Sequence, residues 1–107
     1  MSLAAQLTHS YLCELGAAYP RGKAYFDERR VQALVVTAGA AWGTVIGSAA
    51  YQVRIELASG ELRSACTCPV GGGCKHVVAL GLAYLAEQET SADRASPRAD
   101  SREAVAA

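Results

Sequence analysis

The sequence predicts an α+β fold: a small antiparallel sheet of three to four strands, a metal knuckle, a C-terminal helix, and a further helix at the N-terminus. Three observations carry this. Apolar residues alternate with a period of two across Val31–Leu57. Helical spacing returns after His76. Between the two lies Cys66-Thr67-Cys68-Pro69-Val70-Gly71-Gly72-Gly73-Cys74-Lys75-His76, three thiols and an imidazole within eleven residues.

The elements follow in order. Leu3, Leu7, Tyr11 and Leu15 recur every four residues, predicting one helix over 3–16 with Gly16 as its stop. Tyr19-Pro20-Arg21-Gly22 reads as a breaker. Lys23 to Arg30 reads as a short helical turn with Tyr25 and Phe26 packed inward. Val31 to Val36 reads as a first strand, Gly39-Ala40 as a turn, and Trp42, Thr44 and Ile46 as a second strand ending at Gly47-Ser48. Trp42 is expected in the core. The third strand is the clearest, with Tyr51, Val53, Ile55 and Leu57 on one face and Gln52, Arg54 and Glu56 on the other.

Ser59-Gly60 predicts a two-residue hairpin into a fourth strand. That turn sets Ala58 opposite Glu61, Leu57 opposite Leu62, Glu56 opposite Arg63, and Val53 opposite Cys66. Cys66 then leaves the strand on the core face, and Glu56 and Arg63 form an opposite-charge pair on the solvent face. Val77, Leu80, Gly81, Tyr84 and Leu85 make the apolar stripe of the last helix, which Glu87-Gln88-Glu89 ends.

Cys66, Cys68, Cys74 and His76 match the ligand set of a closed tetrahedral zinc site. Residues i and i+2 of a strand share a face, so Cys66 and Cys68 can present both sulfurs together. Pro69 turns the chain out of the strand. The three glycines can take positive φ and bring Cys74 back, and their N–H groups are placed to donate to the thiolates. On a helix, i and i+2 diverge by about 200°. Cys74 is therefore expected just before the helix, with His76 in its first turn. A disulfide framework would need Cys13 as a fourth partner, and a redox dithiol usually shows Cys-x-x-Cys. One structural Zn2+ is the expected cofactor.

The chain has 107 residues, ten Lys or Arg and ten Asp or Glu. One domain is the most this length suggests. The expected division is a helical segment at 1–20, a zinc-binding module at 21–88 and a disordered polar tail at 89–107, whose composition offers too little apolar surface to offset chain entropy. Fewer than ninety residues then remain to fold, a size at which a bound metal helps. Residues 21–76 hold seven basic residues against four acidic ones, and the chain from Glu87 onward holds five acids against three Arg. This falls short of the strongly basic balance of an autonomous nucleic-acid binder. No signal peptide or apolar run long enough to cross a membrane is visible. Metal-binding thiols suit a reducing, intracellular, cytoplasmic compartment.

These residues resemble the SWIM zinc finger, whose signature is Cys-x-Cys, a variable spacer, then Cys-x-His. The likeness rests on Cys66, Cys68, Cys74 and His76, and is strengthened by Pro69, Lys75 and the aliphatic run Val77-Val78-Ala79-Leu80. Upstream, Arg21-Gly22-Lys23-Ala24-Tyr25, Val31, and Gly47-Ser48 leading to Tyr51-Gln52-Val53-Arg54 look like the region before the finger in bacterial members. The resemblance covers residues 21–86. It implies a ββα-like zinc-binding module rather than an enzyme. Members occur beside SWI2/SNF2-type ATPases, in transposase-like proteins and in signalling proteins, so DNA binding and protein–protein interaction are the roles implied.

Three functions compete. The first is a binding module for a protein or nucleic acid, possible accessory to a SWI2/SNF2-type ATPase, with Arg21, Lys23, Arg29, Arg30 and Lys75 as candidate phosphate contacts. Asp27 and Glu28 interrupt that cluster, which otherwise reads as a solvated basic face. The second is a metalloenzyme, disfavoured because four ligands leave no open position for water. His9 and Cys13 at i, i+4 could chelate a metal, although a packed or surface pair is the simpler reading. The third is a purely structural zinc-stapled subunit or a fragment of a larger assembly, with Trp42, Tyr25 and Phe26 as interface anchors. A membrane partner and a small-molecule substrate are not expected.

Overall fold

The computed structural model describes residues 3–95, with side chains through Thr90. Three short helices come first: α1 (Leu3–Gln6), α2 (His9–Cys13) and α3 (Ala18–Asp27). Four strands follow, β1 (Val31–Val36), β2 (Ala40–Ile46), β3 (Ala50–Ala58) and β4 (Glu61–Cys66), and then the long helix α4 (Lys75–Ala95). The strands form one antiparallel meander in sequence order. The α+β class and the antiparallel sheet with a C-terminal helix agree with the sequence reading.

The hairpin register is the one expected. Ala58 pairs with Glu61, Leu57 with Leu62, Glu56 with Arg63 and Val53 with Cys66. Ser59 and Gly60 both have positive φ, 53° and 80°. This matches the turn whose twist suits two-residue hairpins. One detail differs. The Glu56 carboxylate accepts from Arg54 Nε at 2.5 Å, along its own strand, and not from Arg63 across the pair.

The N-terminal reading needs correction. A single helix over 3–16 is replaced by α1 and α2, because Thr8 caps a new helix start and its Oγ1 accepts from the Tyr11 N–H. The interruption changes the phase of the apolar stripe. Leu3, Leu7 and Leu12 are fully buried, while Tyr11 and Leu15 are only partly covered. The expected breaker at Tyr19-Pro20-Arg21-Gly22 lies inside α3, so a boundary at 20/21 would cut a helix. Pro20 is the third residue of α3, where its missing N–H forgoes no intrahelical bond.

Gly22 has a packing reason to be glycine. A Cβ there would come within 2.4 Å of Val78 Cβ and 2.6 Å of the Lys75 carbonyl oxygen. The start of α4 and the middle of α3 therefore touch backbone to backbone. Gly81 leaves room for a side chain of α2: a Cβ there would lie 2.7 Å from Leu12 Cδ2.

The core lies between α4 and one face of the sheet. Val45, Val53 and Ile55 meet Val77, Leu80 and Tyr84, and Leu3, Leu7 and Leu12 close the side. Trp42 is the exception to expectation. It lies outside the core cluster, on the opposite sheet face, with the Arg54 guanidinium 5.2 Å from its ring centroid. Helix α4 also runs further than expected, through Ala95, past Glu87-Gln88-Glu89. Ala and Glu favour a helix once it has started, and Thr90 Oγ1 donates back to the Ala86 carbonyl. Residues 89–95 of the expected disordered tail are thus helical, and 96–107 lie outside the described residues. No described helix is long and apolar enough to cross a membrane.

Gly22→Ala tests the α3–α4 contact. Helix propensity alone would favour Ala by about 1 kcal/mol. The backbone oxygen at 2.6 Å cannot yield cheaply. A net loss of about 1–3 kcal/mol in chemical denaturation is expected, and a more stable variant would refute the contact.

Candidate metal centre

The site joins the end of β4 to the beginning of α4. Pairing of Cys66 with Val53 puts its sulfur on the sheet face that carries Val53 and Ile55, under α4. Cys74 immediately precedes α4, and its carbonyl accepts the Val78 N–H at 3.2 Å. His76 is the second residue of the helix. These placements agree with the spacing argument.

The knuckle between them uses its glycines in two ways. Gly71 and Gly73 have φ of +85° and +69°, a region costly for other residues. Gly72 is required by space: a Cβ there would lie 2.5 Å from the Ser64 carbonyl oxygen. Gly73 N–H donates to Ser64 Oγ at 3.0 Å, which ties the knuckle to β4. Gly71 N–H donates to the Cys68 carbonyl at 3.1 Å. The glycine N–H groups therefore hold the loop, and backbone hydrogen bonding at Gly71 also favours the Cys68 thiolate, as expected of a donor to sulfur.

Four ligand atoms converge. Cys66 Sγ and Cys74 Sγ each lie 3.6 Å from His76 Nδ1, and Cys68 Sγ lies 3.6 Å from Cys74 Sγ. All four lie within 4.8 Å of one another. Zinc bound tetrahedrally at the usual bond lengths holds two sulfurs about 3.8 Å apart, and a sulfur and a nitrogen about 3.6 Å apart. The residues fit the ion. The four cysteines of the chain are all unpaired, so no disulfide competes for them.

Burial makes these groups poor company without a cation. Cys68 and Cys74 are 8% and 5% exposed, and His76 is 4% exposed. Burial, with the neighbouring thiols, pushes the Cys66 thiol up to about 12. At Cys68 burial acts the same way, but backbone hydrogen bonding at Gly71 and the adjacent thiols outweigh it and hold the pKa below the ordinary value. His76 is held below 6.5, first by burial and then by the Lys75 charge. It is therefore neutral at pH 7 and able to ligate through Nδ1.

The imidazole is positioned by residues that the sequence reading treated as packing or turn. Tyr51 stacks on it at 4.4 Å between centroids, with planes 31° apart, and Tyr25 lies 5.5 Å away. Gly47 sits behind it, where a Cβ would be 3.2 Å from His76 Nε2. Nε2 is buried and has no hydrogen-bond partner. The ring is thus held by shape and stacking, with Nδ1 toward the sulfurs. Ser64 was legible in principle, since it shares a strand face with Cys66 at a spacing of two. Gly47 offered no such signal, because its role depends on where α3 and α4 meet.

The basic candidates do not gather into one cluster. Lys23 pairs with Asp27 at 2.9 Å, and Arg30 pairs with Glu28 at 2.6 Å. Arg30 and Lys75 both approach the Tyr25 ring, at 5.0 and 5.3 Å from its centroid. Arg21 lines the groove beside the knuckle with Lys75, while Arg29 lines a separate hollow with Phe26 and Val31. His9 turns to Glu89, with Nε2 3.7 Å from Oε2, and Cys13 is exposed.

Two outcomes follow. Cys74→Ser removes a ligand that touches both Cys68 and His76. Outer partners alone are worth 10–100-fold in metal affinity, so loss of a ligand should exceed about 100-fold in a competitive chelator titration. Wild-type affinity in that variant would remove Cys74 from the site. Acid acts in one direction at both kinds of ligand. Thiols must lose protons to bind, so metal binding weakens as pH falls. The folded pKa of His76 lies below 6.5, so the unfolded chain takes up that proton first, and the stability it contributes above 6.5 is lost on acidification. Zinc release and unfolding should therefore coincide in an acid titration between about pH 6.5 and 4. A zinc-loaded fold unchanged at the lower limit would contradict this.

Comparison with known proteins agrees with the geometry. Residues 51–85 match the family model of the SWIM zinc finger, 35 of the 107 residues. No curated protein and no solved structure matches the chain. The matched segment runs from the strand that stacks Tyr51 on the imidazole to the buried face of α4, and it contains all four ligands; the chain carries a SWIM zinc finger with one structural zinc site.

Proposed function

We propose that the protein is a non-catalytic interaction module whose zinc site fixes a surface for a protein partner. The observation that carries this reading is the closure of the site. Three sulfurs and one imidazole nitrogen fill a tetrahedral set, and Cys68, Cys74 and His76 are buried. A water would need a vacated position and a nearby acid or base. His9, the other histidine, lies against Glu89 and is not among the clustered ligands. Bound zinc here supplies folding energy and fixes the β4–α4 junction, rather than polarising a substrate.

Nucleic acid is the second reading. It rests on Arg21, Lys23, Arg29, Arg30 and Lys75. Two of these five are neutralised by carboxylates in their own helix or turn. Phosphate contacts need positive charge that is not already satisfied. Service as an accessory to a SWI2/SNF2-type ATPase fits a protein-docking module equally well, and so does a structural role in a larger assembly. A reducing intracellular setting suits the free thiols.

Fluorescence anisotropy with a DNA duplex separates the two macromolecular classes. The zinc-loaded protein should bind weakly at about 50 mM salt and lose that binding by about 200 mM. Tight binding at the higher salt that falls on Lys75→Glu would favour the nucleic-acid reading.

A further inference from the structure

A concave groove of about 320 Å3 lies directly beside the metal centre. Its walls are Ala17, Ala18 and Arg21 at the start of α3, Pro69 and Val70 of the knuckle, and Lys75 at the start of α4; the ligands Cys68, Cys74 and His76 also line it. Two properties meet in it. Val70 is 73% exposed, one of two large exposed apolar side chains among the described residues. Arg21 and Lys75 have no carboxylate partner among the described residues, whereas Lys23, Arg30 and Arg54 each have one; Arg29 and Arg63 are also without one but line other hollows, so only this groove joins two such cations to an exposed apolar side chain.

We propose that this groove seats an acidic peptide segment of a partner protein, with a large apolar side chain against Pro69 and Val70 and an adjacent carboxylate between Arg21 and Lys75. The inference deepens, and rests on, the reading of the protein as an interaction module. Charge complementarity selects the occupant. Three thiolates and one zinc ion carry a net charge of −1, and Arg21 and Lys75 carry +2, so the groove is left with one positive charge. The N-terminal end of α4 adds to it. A carboxylate meets that balance. A nucleic-acid backbone would bring a row of phosphates to two cations and apolar walls, and phosphate recognition needs more unopposed charge than this.

The position also links binding to the metal. Arg21 is one residue before Gly22, which touches Val78 and the Lys75 carbonyl, and Pro69 and Val70 follow the ligand Cys68. The two walls keep their spacing only while the knuckle is held against α4. Zinc is therefore a condition for the groove rather than a contact in it.

A random dodecapeptide phage library panned on the full zinc-loaded chain tests the assignment. The selected peptides are then measured by anisotropy against wild type, Arg21→Glu, Val70→Asp and Arg63→Glu, with zinc content determined for each. Enriched peptides should combine Asp or Glu with a neighbouring Leu, Ile or Phe. Their affinity should fall by about tenfold or more in Arg21→Glu and Val70→Asp, the loss expected for a central contact. Arg63→Glu, an exposed change on β4 away from the groove, should leave it unchanged. If Val70→Asp fails to hold zinc, Arg21→Glu decides alone. Peptides that bind wild type and Arg21→Glu equally overturn the groove while the module reading stands. Displacement of the peptides by a single-stranded oligonucleotide overturns the choice of a peptide. Failure to enrich any peptide overturns both.

Discussion

The convergence of Cys66, Cys68, Cys74 and His76 is the constraint on which the rest of the molecule depends. It binds the last residue of β4 to the residue before α4 and to the first turn of that helix. Helix α4 in turn supplies Val77, Val78, Leu80 and Tyr84 to the core, against the sheet on one side and α2 and α3 on another. Domains of this size are stable by about 5–15 kcal/mol. Structural zinc in small modules binds with an apparent 10–16 kcal/mol. The metal term is thus as large as the whole margin of stability. Without the ion, two buried thiols, the half-buried Cys66 thiol and a buried imidazole would sit together with Nε2 of His76 unpartnered.

Close backbone approach is the means by which so short a chain surrounds that centre. Gly22, Gly72 and Gly81 each occupy a place where a Cβ would fall under 3.0 Å from a neighbour. Gly22 sets α3 against the start of α4, Gly72 sets the knuckle against Ser64, and Gly81 sets α2 against the middle of α4. The side chains that touch the imidazole, Tyr25 and Tyr51, come from α3 and β3. Every element around the site is therefore positioned by contacts that also build the core. Arg21, Pro69, Val70 and Lys75 come from separate stretches of the chain yet border one groove.

What the sequence made legible was local. The hairpin register could be read from Ser59-Gly60 and from period two, and it placed Cys66 on the core face before any fold was known. The Cys-x-Cys and Cys-x-His spacings, with Pro69 and the glycines, determined which residues meet. What stayed hidden depends on tertiary contact or on a competing local signal. The N-terminal stripe at Leu3, Leu7, Tyr11 and Leu15 looked continuous, but Thr8 restarts the helix and shifts the buried set to Leu12. Pro20 and Gly22 carry strong breaker signals, and the helix accommodates both, one in its first turn and the other against Val78. Trp42 looked like core by size, but its strand position turns it to the open face beneath Arg54. The division of the basic residues was legible, since Asp27 and Glu28, which interrupt them in sequence, claim Lys23 and Arg30.

The most direct measurement is native mass spectrometry of the purified chain, with circular dichroism recorded before and after removal of metal by a chelator. The account predicts one zinc ion per chain, and loss of the ordered sheet and helix signal when the ion is removed. A metal-free protein with an unchanged cooperative fold would contradict it, since the cysteines and His76 would then be packed together for a reason other than zinc.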